Sequence, residues 1–363
     1  MVQKILITGA RAPIALELAR SFAAHGEVVI MADSLHLTIA RWSNKVTKYY
    51  VLPSPRYNIT DFVSEIQEII KNEGITHLIP TCEEAIYIAC HKEKFDCKVW
   101  TCDKELMINL HNKYRFYKQF NQQLPMPETI LVKHFLNWQT SDEYVFKPIY
   151  SRFATAVLTK KMLSNDHFSE KEREKWLAQK FIKGREICVY SFWDNGVLKA
   201  YSTYSPLYRA GKGAGIFFEP FTNNEVLELV KNFGQQINYT GQLCFDVILD
   251  GENKPYFIEC NPRGTSGLHL INRDFARCVL ENETVIVTQK DDFAIKCVMA
   301  IFHPLALFNR KVCNAKDVIY RSDDVKPFVL QVLSLFEILF IKFTKGRTLQ
   351  EATTSDIEWN GEV

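Results

Sequence analysis

Several cheap diagnostic features are missing from this chain. Its ten cysteines form no Cys-x-x-Cys pair, and some sit in apolar runs such as Gln242-Leu243-Cys244-Phe245. That argues against a zinc site or a disulfide framework and for small buried thiols in a reducing compartment. Among the 15 glycines no Gly-x-Gly-x-x-Gly occurs, so the dinucleotide-binding fingerprint fails. An excess of charge is missing too: 44 Lys and Arg against 42 Asp and Glu leave a net +2. No global field recruits nucleic acid or an anionic surface, and any anion must be bound locally. There is no internal repeat, no low-complexity tract, and no apolar leader with a small-residue cleavage site, which makes the cytoplasm the expected compartment.

What is present is an ordinary globular composition, 47% hydrophobic and 24% charged over 363 residues, enough for two or three packed lobes. Strand-like runs at Lys4 to Thr8, Val28 to Ala32, Lys48 to Leu52, His77 to Pro80 and Lys98 to Thr101 alternate with helical spacing at Pro13 to Ala24, Asp61 to Asn72 and Glu83 to Cys90. This order predicts an α/β N-terminal domain with a parallel sheet. After Pro125-Met126-Pro127 strands dominate: Tyr144 to Pro148, Ala154 to Thr159, Leu177 to Ile182, Glu186 to Trp193, Val197 to Tyr204, Gly241 to Leu249 and Pro255 to Cys260, with one helix from Asn224 to Gln236. Hairpin-linked strands predict α+β lobes built on antiparallel sheets. The run 328–341 is apolar nearly all round, too short to span a bilayer, and predicts a buried or partner-packed helix, with an interfacial membrane contact as the alternative.

The chemistry concentrates around Asp250-Gly251-Glu252-Asn253-Lys254-Pro255. A hairpin with a four-residue loop, Asp250 facing Pro255, puts Asp246 directly across from Glu259. Carboxylates so placed destabilise a sheet unless a proton or cation lies between them. Strand alternation sets Glu259, Asn261 and Arg263 on one face. Two carboxylates and an amide oxygen suit Mg²⁺, and Arg263 can grip a phosphate. By itself the pattern also fits a solvated hairpin face with an incidental ion pair.

Phe245-Asp246-Val247 followed by Phe257-Ile258-Glu259-Cys260-Asn261-Pro262-Arg263 resembles the magnesium hairpin of ATP-grasp ligases, closest in flavour to the synthetase lobes of carbamoyl-phosphate synthase large subunits. The resemblance runs to about residue 272. It implies a pre-grasp domain at 1–110, a small lobe with its linker helix at 111–183, a large lobe at 184–290 and a C-terminal extension at 291–363 carrying the apolar helix. ATP and Mg²⁺ are the implied cofactors, with Asp246, Glu259 and Asn261 as metal ligands. Tyr144-Val145-Phe146-Lys147-Pro148 resembles the strand whose lysine reaches the α- and β-phosphates. Gln179, Lys180, Phe181 and Ile182 resemble the hinge that pairs with adenine, Glu186 the ribose acceptor, and Lys113 the helix-borne lysine ahead of the small lobe. The chain departs from the family where Ile149-Tyr150-Ser151-Arg152-Phe153-Ala154 lacks the glycine-rich flap, leaving Ser151 and Arg152 to cover the phosphates, and where Lys180 replaces a frequent glutamate.

Tyr208-Arg209-Ala210-Gly211-Lys212-Gly213-Ala214-Gly215 is a basic glycine-rich loop. Arg209 and Lys212 suit a carboxylate or a transferring phosphoryl group, with a flexible hairpin tip as the plainer reading. Arg263 completes the expected catalytic set. The turn Thr8-Gly9-Ala10-Arg11 and Asp33 invite a dinucleotide, but without the fingerprint the domain reads as a support that lends Glu83 or Glu84 to an amine.

The resemblance implies a ligase that joins a small carboxylate to an amine or ammonia through an acyl phosphate, releasing ADP and phosphate. Nucleic acid is not an expected partner, and a homodimer stays open. Two alternatives remain: a noncatalytic nucleotide sensor, and a dinucleotide-dependent oxidoreductase using Gly9 and Asp33.

Overall fold

The computed structural model describes residues 2–136, 138–152, 157–162, 168–211, 213–288 and 290–361. The N-terminal strands β1 (Lys4–Thr8), β2 (Val28–Asp33), β3 (Lys48–Val51), β4 (His77–Ile79) and β5 (Lys98–Val99) form one parallel sheet in the order β3-β2-β1-β4-β5. β1 and β2 are apolar on both faces because both are covered. Leu6 and Ile30 join the core shared with helix α2 (Ile59–Glu73), while Ile5, Ile7, Val29 and Met31 pack under α1 (Pro13–Ala24). Pro at its first turn starts α1, whereas the Asn58 side chain caps α2 and Gly74, at φ +67°, ends it.

Helices α3 (Glu84–Cys90), α4 (Lys104–His111) and α5 (Lys113–Phe120) lead to the small lobe. There β6 (Thr129–Leu131), β7 (Tyr144–Pro148), β8 (Leu158–Thr159) and β9 (Trp176–Lys180) make an antiparallel sheet ordered β6-β9-β7-β8, beside the short helix α6 (Glu170–Arg173). The strand predicted from Ala154 is seen only at Leu158–Thr159, since 153–156 lie outside the described residues.

The large lobe is a longer sheet. β10 (Arg185–Asp194) and β11 (Val197–Pro206) form a hairpin about Asn195-Gly196, both at positive φ, the pairing a tight two-residue turn demands. The small pair β12 (Arg209–Ala210) and β13 (Ala214–Gly215) precedes β14 (Phe217–Pro220), and helix α7 (Asn224–Gln236) leads into the hairpin of β15 (Gly241–Leu249) and β16 (Pro255–Asn261). The full order is β16-β15-β10-β11-β14-β18-β19, with β17 (Val285–Ile286) on β11.

β18 (Phe293–Ala294) and β19 (Lys316–Asp317), which lie in the expected C-terminal extension, pair onto the large-lobe sheet. Between and around them lie α8 (Leu268–Ile271), α9 (Phe275–Leu280), α10 (Lys296–Phe302) and α11 (Arg310–Asn314). Helices α12 (Lys326–Lys345) and α13 (Leu349–Thr354) then carry the chain back to the N-terminal domain.

Candidate active site

The site forms where the β15–β16 hairpin faces the small lobe. The expected loop is wrong by one residue: Leu249 pairs with Pro255, and Asp250 N–H bonds to the Lys254 carbonyl. A bulge between Asp246 and Val247 then inserts Ile258 as an extra residue and restores the opposition of Asp246 to Glu259. The bulge also frees the Ile258 carbonyl from the ladder. It accepts a hydrogen bond from Lys147 Nζ at 3.2 Å and from Gln179 Nε2 at 3.5 Å.

Burial sharpens the electrostatics. Lys147 is 6% exposed, and desolvation lowers its pKa to about 8 although Glu259 pulls the other way. Asp246 is pushed up, first by burial and then by Glu259 and Glu186. Burial also works against a charge on Glu259, but the fields of Lys113 and Lys147 more than offset it and its pKa falls. Lys113 sits at the first turn of α5, held there by Asn112, whose side chain accepts from the Tyr114 and Arg115 amides. Its ammonium lies 3.2 Å from Glu259 and 3.0 Å from the Ser151 carbonyl.

Asn261 bridges the row. Its Nδ2 donates to Asp246 at 3.3 Å, and its Oδ1 accepts from Arg263 Nη2 at 3.3 Å. Asp246, Glu259 and Asn261 thus offer an oxygen-rich donor set that fits a hard divalent cation, provided the Asn261 amide turns its oxygen toward Asp246.

The hinge strand β9 ends at Lys180, earlier than expected, and Phe181 and Ile182 belong to the link into β10. Lys180 N–H donates to the Glu128 carbonyl and Phe181 N–H to that of Glu143. Gln179 is buried and also donates to Thr129 Oγ1 at 3.0 Å.

Other expected residues sit in different company. Glu186 is ion-paired with Arg209, which also donates to the Gly213 carbonyl. Lys212 lies outside the described residues. Arg152 pairs with Glu83 of the N-terminal domain and with the returning tail. Its Nε is 2.6 Å from Glu83 Oε1, and its other nitrogens donate to Asn360 Oδ1 at 2.8 Å and the Trp359 carbonyl at 2.9 Å. That contact pairs Glu83 with a guanidinium. Glu84 Oε1 accepts from Thr8 Oγ1, the Thr81 amide and the Cys82 amide at 2.9 to 3.2 Å, whereas its buried Oε2 has no hydrogen-bond partner among the described residues. Asp33 accepts from the Arg11 amide and guanidinium. The pocket beside it is lined by Thr8, Gly9, Ser34 and Glu84 and by Ile357 of the returning tail.

Sequence reasoning missed two groups. One is the Ile258 carbonyl, which only the bulge exposes. The other is Cys188, directly across from Asp246 on β10 and near Glu186; its only signal is the β10–β15 register, which here joins residues 58 apart in sequence.

A parallel-sheet domain followed by two antiparallel lobes, with lysines and a carboxylate hairpin facing one another between them, defines the ATP-grasp fold. Residues 110–267 match the family described as ATP-grasp domain. Solved structures agree on the fold. N5-carboxyaminoimidazole synthetase from Staphylococcus aureus, complexed with ADP, superposes with a TM-score of 0.62 at 13% identity, over 80% of each chain. L-amino acid ligase from Bacillus licheniformis gives 0.54 at 14%, over 77% of this chain and 70% of its own. Biotin carboxylase from Campylobacter jejuni gives 0.55 at 16%, over 73% and 66%. A comparison of the sequence with curated proteins finds no match.

Proposed function

We propose that the protein is an ATP- and Mg²⁺-dependent ligase that joins a small carboxylate to an amine or ammonia through an acyl phosphate, releasing ADP and phosphate. The observation that carries the reading is the convergence of Lys113 and Lys147 on the Asp246–Glu259–Asn261–Arg263 row. Lys147, buried and lowered to about 8, is costly in an apolar strand unless an anion completes its shell. Mg²⁺ at Asp246, Glu259 and Asn261 would neutralise charge on the transferring phosphoryl group. Lys113 and Lys147 hold the phosphate chain, Arg263 faces the transferring group, and the hinge from Gln179 to Ile182 takes the base. For Glu186 to accept a ribose, Arg209 must release it, which leaves Arg209 free to meet the second substrate. The synthetase-lobe likeness of Phe257 to Arg263 and the ligases sharing the fold support the same chemistry.

The test is a panel of amino acids and small carboxylates with amines or ammonia, scored for ADP and phosphate release, with hydroxylamine present to trap the acyl group as a hydroxamate. Arg263→Ala should lower turnover far more than ATP affinity, because a contact that strengthens only in the transition state shows in rate. AMP and pyrophosphate as products would overturn the acyl-phosphate step. ATP binding without turnover on every substrate would favour the nucleotide sensor.

A further inference from the structure

Helix α12 is docked with its polarity inverted. Its polar residues face the body: Glu337 accepts hydrogen bonds from the amides of His36 at 2.9 Å and Leu37 at 2.6 Å, Gln331 accepts from the Cys297 thiol at 2.7 Å, and Ser334 is buried. Val329, Val332, Phe336, Phe340 and Phe343, spaced by three and four residues, instead form a stripe that is 46 to 75% exposed. Phe328 and Leu335 widen it. The sequence pattern predicted a buried helix, yet among the described residues of α12 only Pro327 and Ser334 are buried. It is also longer than the apolar run, at twenty residues or roughly 30 Å, and is apolar enough to cross a bilayer. The Glu337 contacts hold it flat against the N-terminal domain instead.

Charge decides what covers the stripe. From 326 to 349 the cations are Lys326, Lys342, Lys345 and Arg347, and the sole carboxylate, Glu337, is spent on backbone amides. A second copy packed by two-fold symmetry would set these cations against a helix with no free carboxylate of its own, the exposed acids nearest in sequence, Asp323 and Glu351, lying beyond its two ends. An anionic lipid surface supplies that charge, and phenylalanines with flanking lysines are the composition of a helix lying in the interface.

We propose that α12 is an in-plane membrane helix that holds the protein on an anionic bilayer, with the Val329–Phe343 stripe in the acyl boundary and Lys326, Lys342 and Lys345 at the headgroups. This stands independently of the ligase reading.

The experiment is co-sedimentation of the full chain with phosphatidylcholine vesicles, with and without phosphatidylglycerol. The wild type should pellet with the anionic vesicles, less so in high salt, and Phe336→Ser/Phe340→Ser/Phe343→Ser should weaken partitioning by roughly tenfold or more. Should that variant misfold, Phe340→Trp answers the same question: its emission should shift to the blue and be quenched by brominated lipid. A wild type that stays in the supernatant with both vesicles overturns the proposal. So does a dimer by light scattering that the triple variant converts to monomer while neither binds lipid.

Discussion

Lys147 meets the Ile258 carbonyl and the field of Glu259 in a buried strand, and its pKa falls to about 8. The sign of the consequence is fixed. Below that value the ammonium is already present and ATP binding takes up no proton; above it, binding must first protonate the lysine. ATP affinity should therefore be flat near neutral pH and fall above about pH 8, by at most about tenfold per pH unit. Lys147→Arg keeps its charge, so calorimetry should find its affinity flat over the same range. A break that survives in Lys147→Arg would assign the titration elsewhere. Glu259→Gln tests the opposite partner. Losing that carboxylate removes a force that raises Lys147, so the break should move to lower pH, and the gain in ATP affinity on adding Mg²⁺ should shrink. An unchanged Mg²⁺ dependence would remove Glu259 from the cation site.

At the scale of elements, what was legible in the sequence was local. The bounds of β1, α1, β7, α7 and β15 follow from apolar period, Pro13 and caps such as Asn223, all of which act within a turn or two. The opposition of Asp246 to Glu259 was also legible, although a shorter loop and a bulge produce it together. Nothing local announces a bulge, and the pairing of Glu83 with Arg152 spans 69 residues. The link between β9 and β10 carries a testable constraint of this nonlocal kind. A Cβ on Gly184 would lie 1.9 Å from the Leu249 carbonyl oxygen and 2.7 Å from its carbon. Those are backbone atoms of the carboxylate hairpin's first strand, so they cannot swing aside. Gly184→Ala should cost on the order of 1–3 kcal/mol in stability, read by denaturant unfolding, and weaken nucleotide binding as the lobes are forced apart. A variant with wild-type stability and affinity would show that the link gives way freely.

For the whole molecule, the returning tail is what ties the N-terminal domain to the segment 150–152 that follows β7. Tyr87 Oη donates to the Glu358 carbonyl at 2.7 Å, Arg152 to that of Trp359, and the Trp359 ring packs edge-on against Tyr150 at 5.4 Å. The anchor is Arg11, which lies between Asp33 and Asp356, bonding Asp356 at 2.7 Å through both terminal nitrogens. Asp356→Ala should leave a buried guanidinium with half its counter-charge, a loss on the order of 3–5 kcal/mol. Burial works against the Asp356 charge, but Arg11 and Ser34 more than offset it, so its folded pKa is lowered. A lowered carboxylate contributes stability above its unfolded pKa and loses it as pH falls through the folded value. The gap between wild type and Asp356→Ala should thus be full near neutral pH and narrow in acid, below the ordinary carboxylate range. Denaturant unfolding at both pH values measures it, with cleavage of the tail by a nonspecific protease as a second readout. A gap that stays constant into acid, with the tail no easier to cleave in the variant, would mean that Arg11 and Asp356 do not hold the tail down.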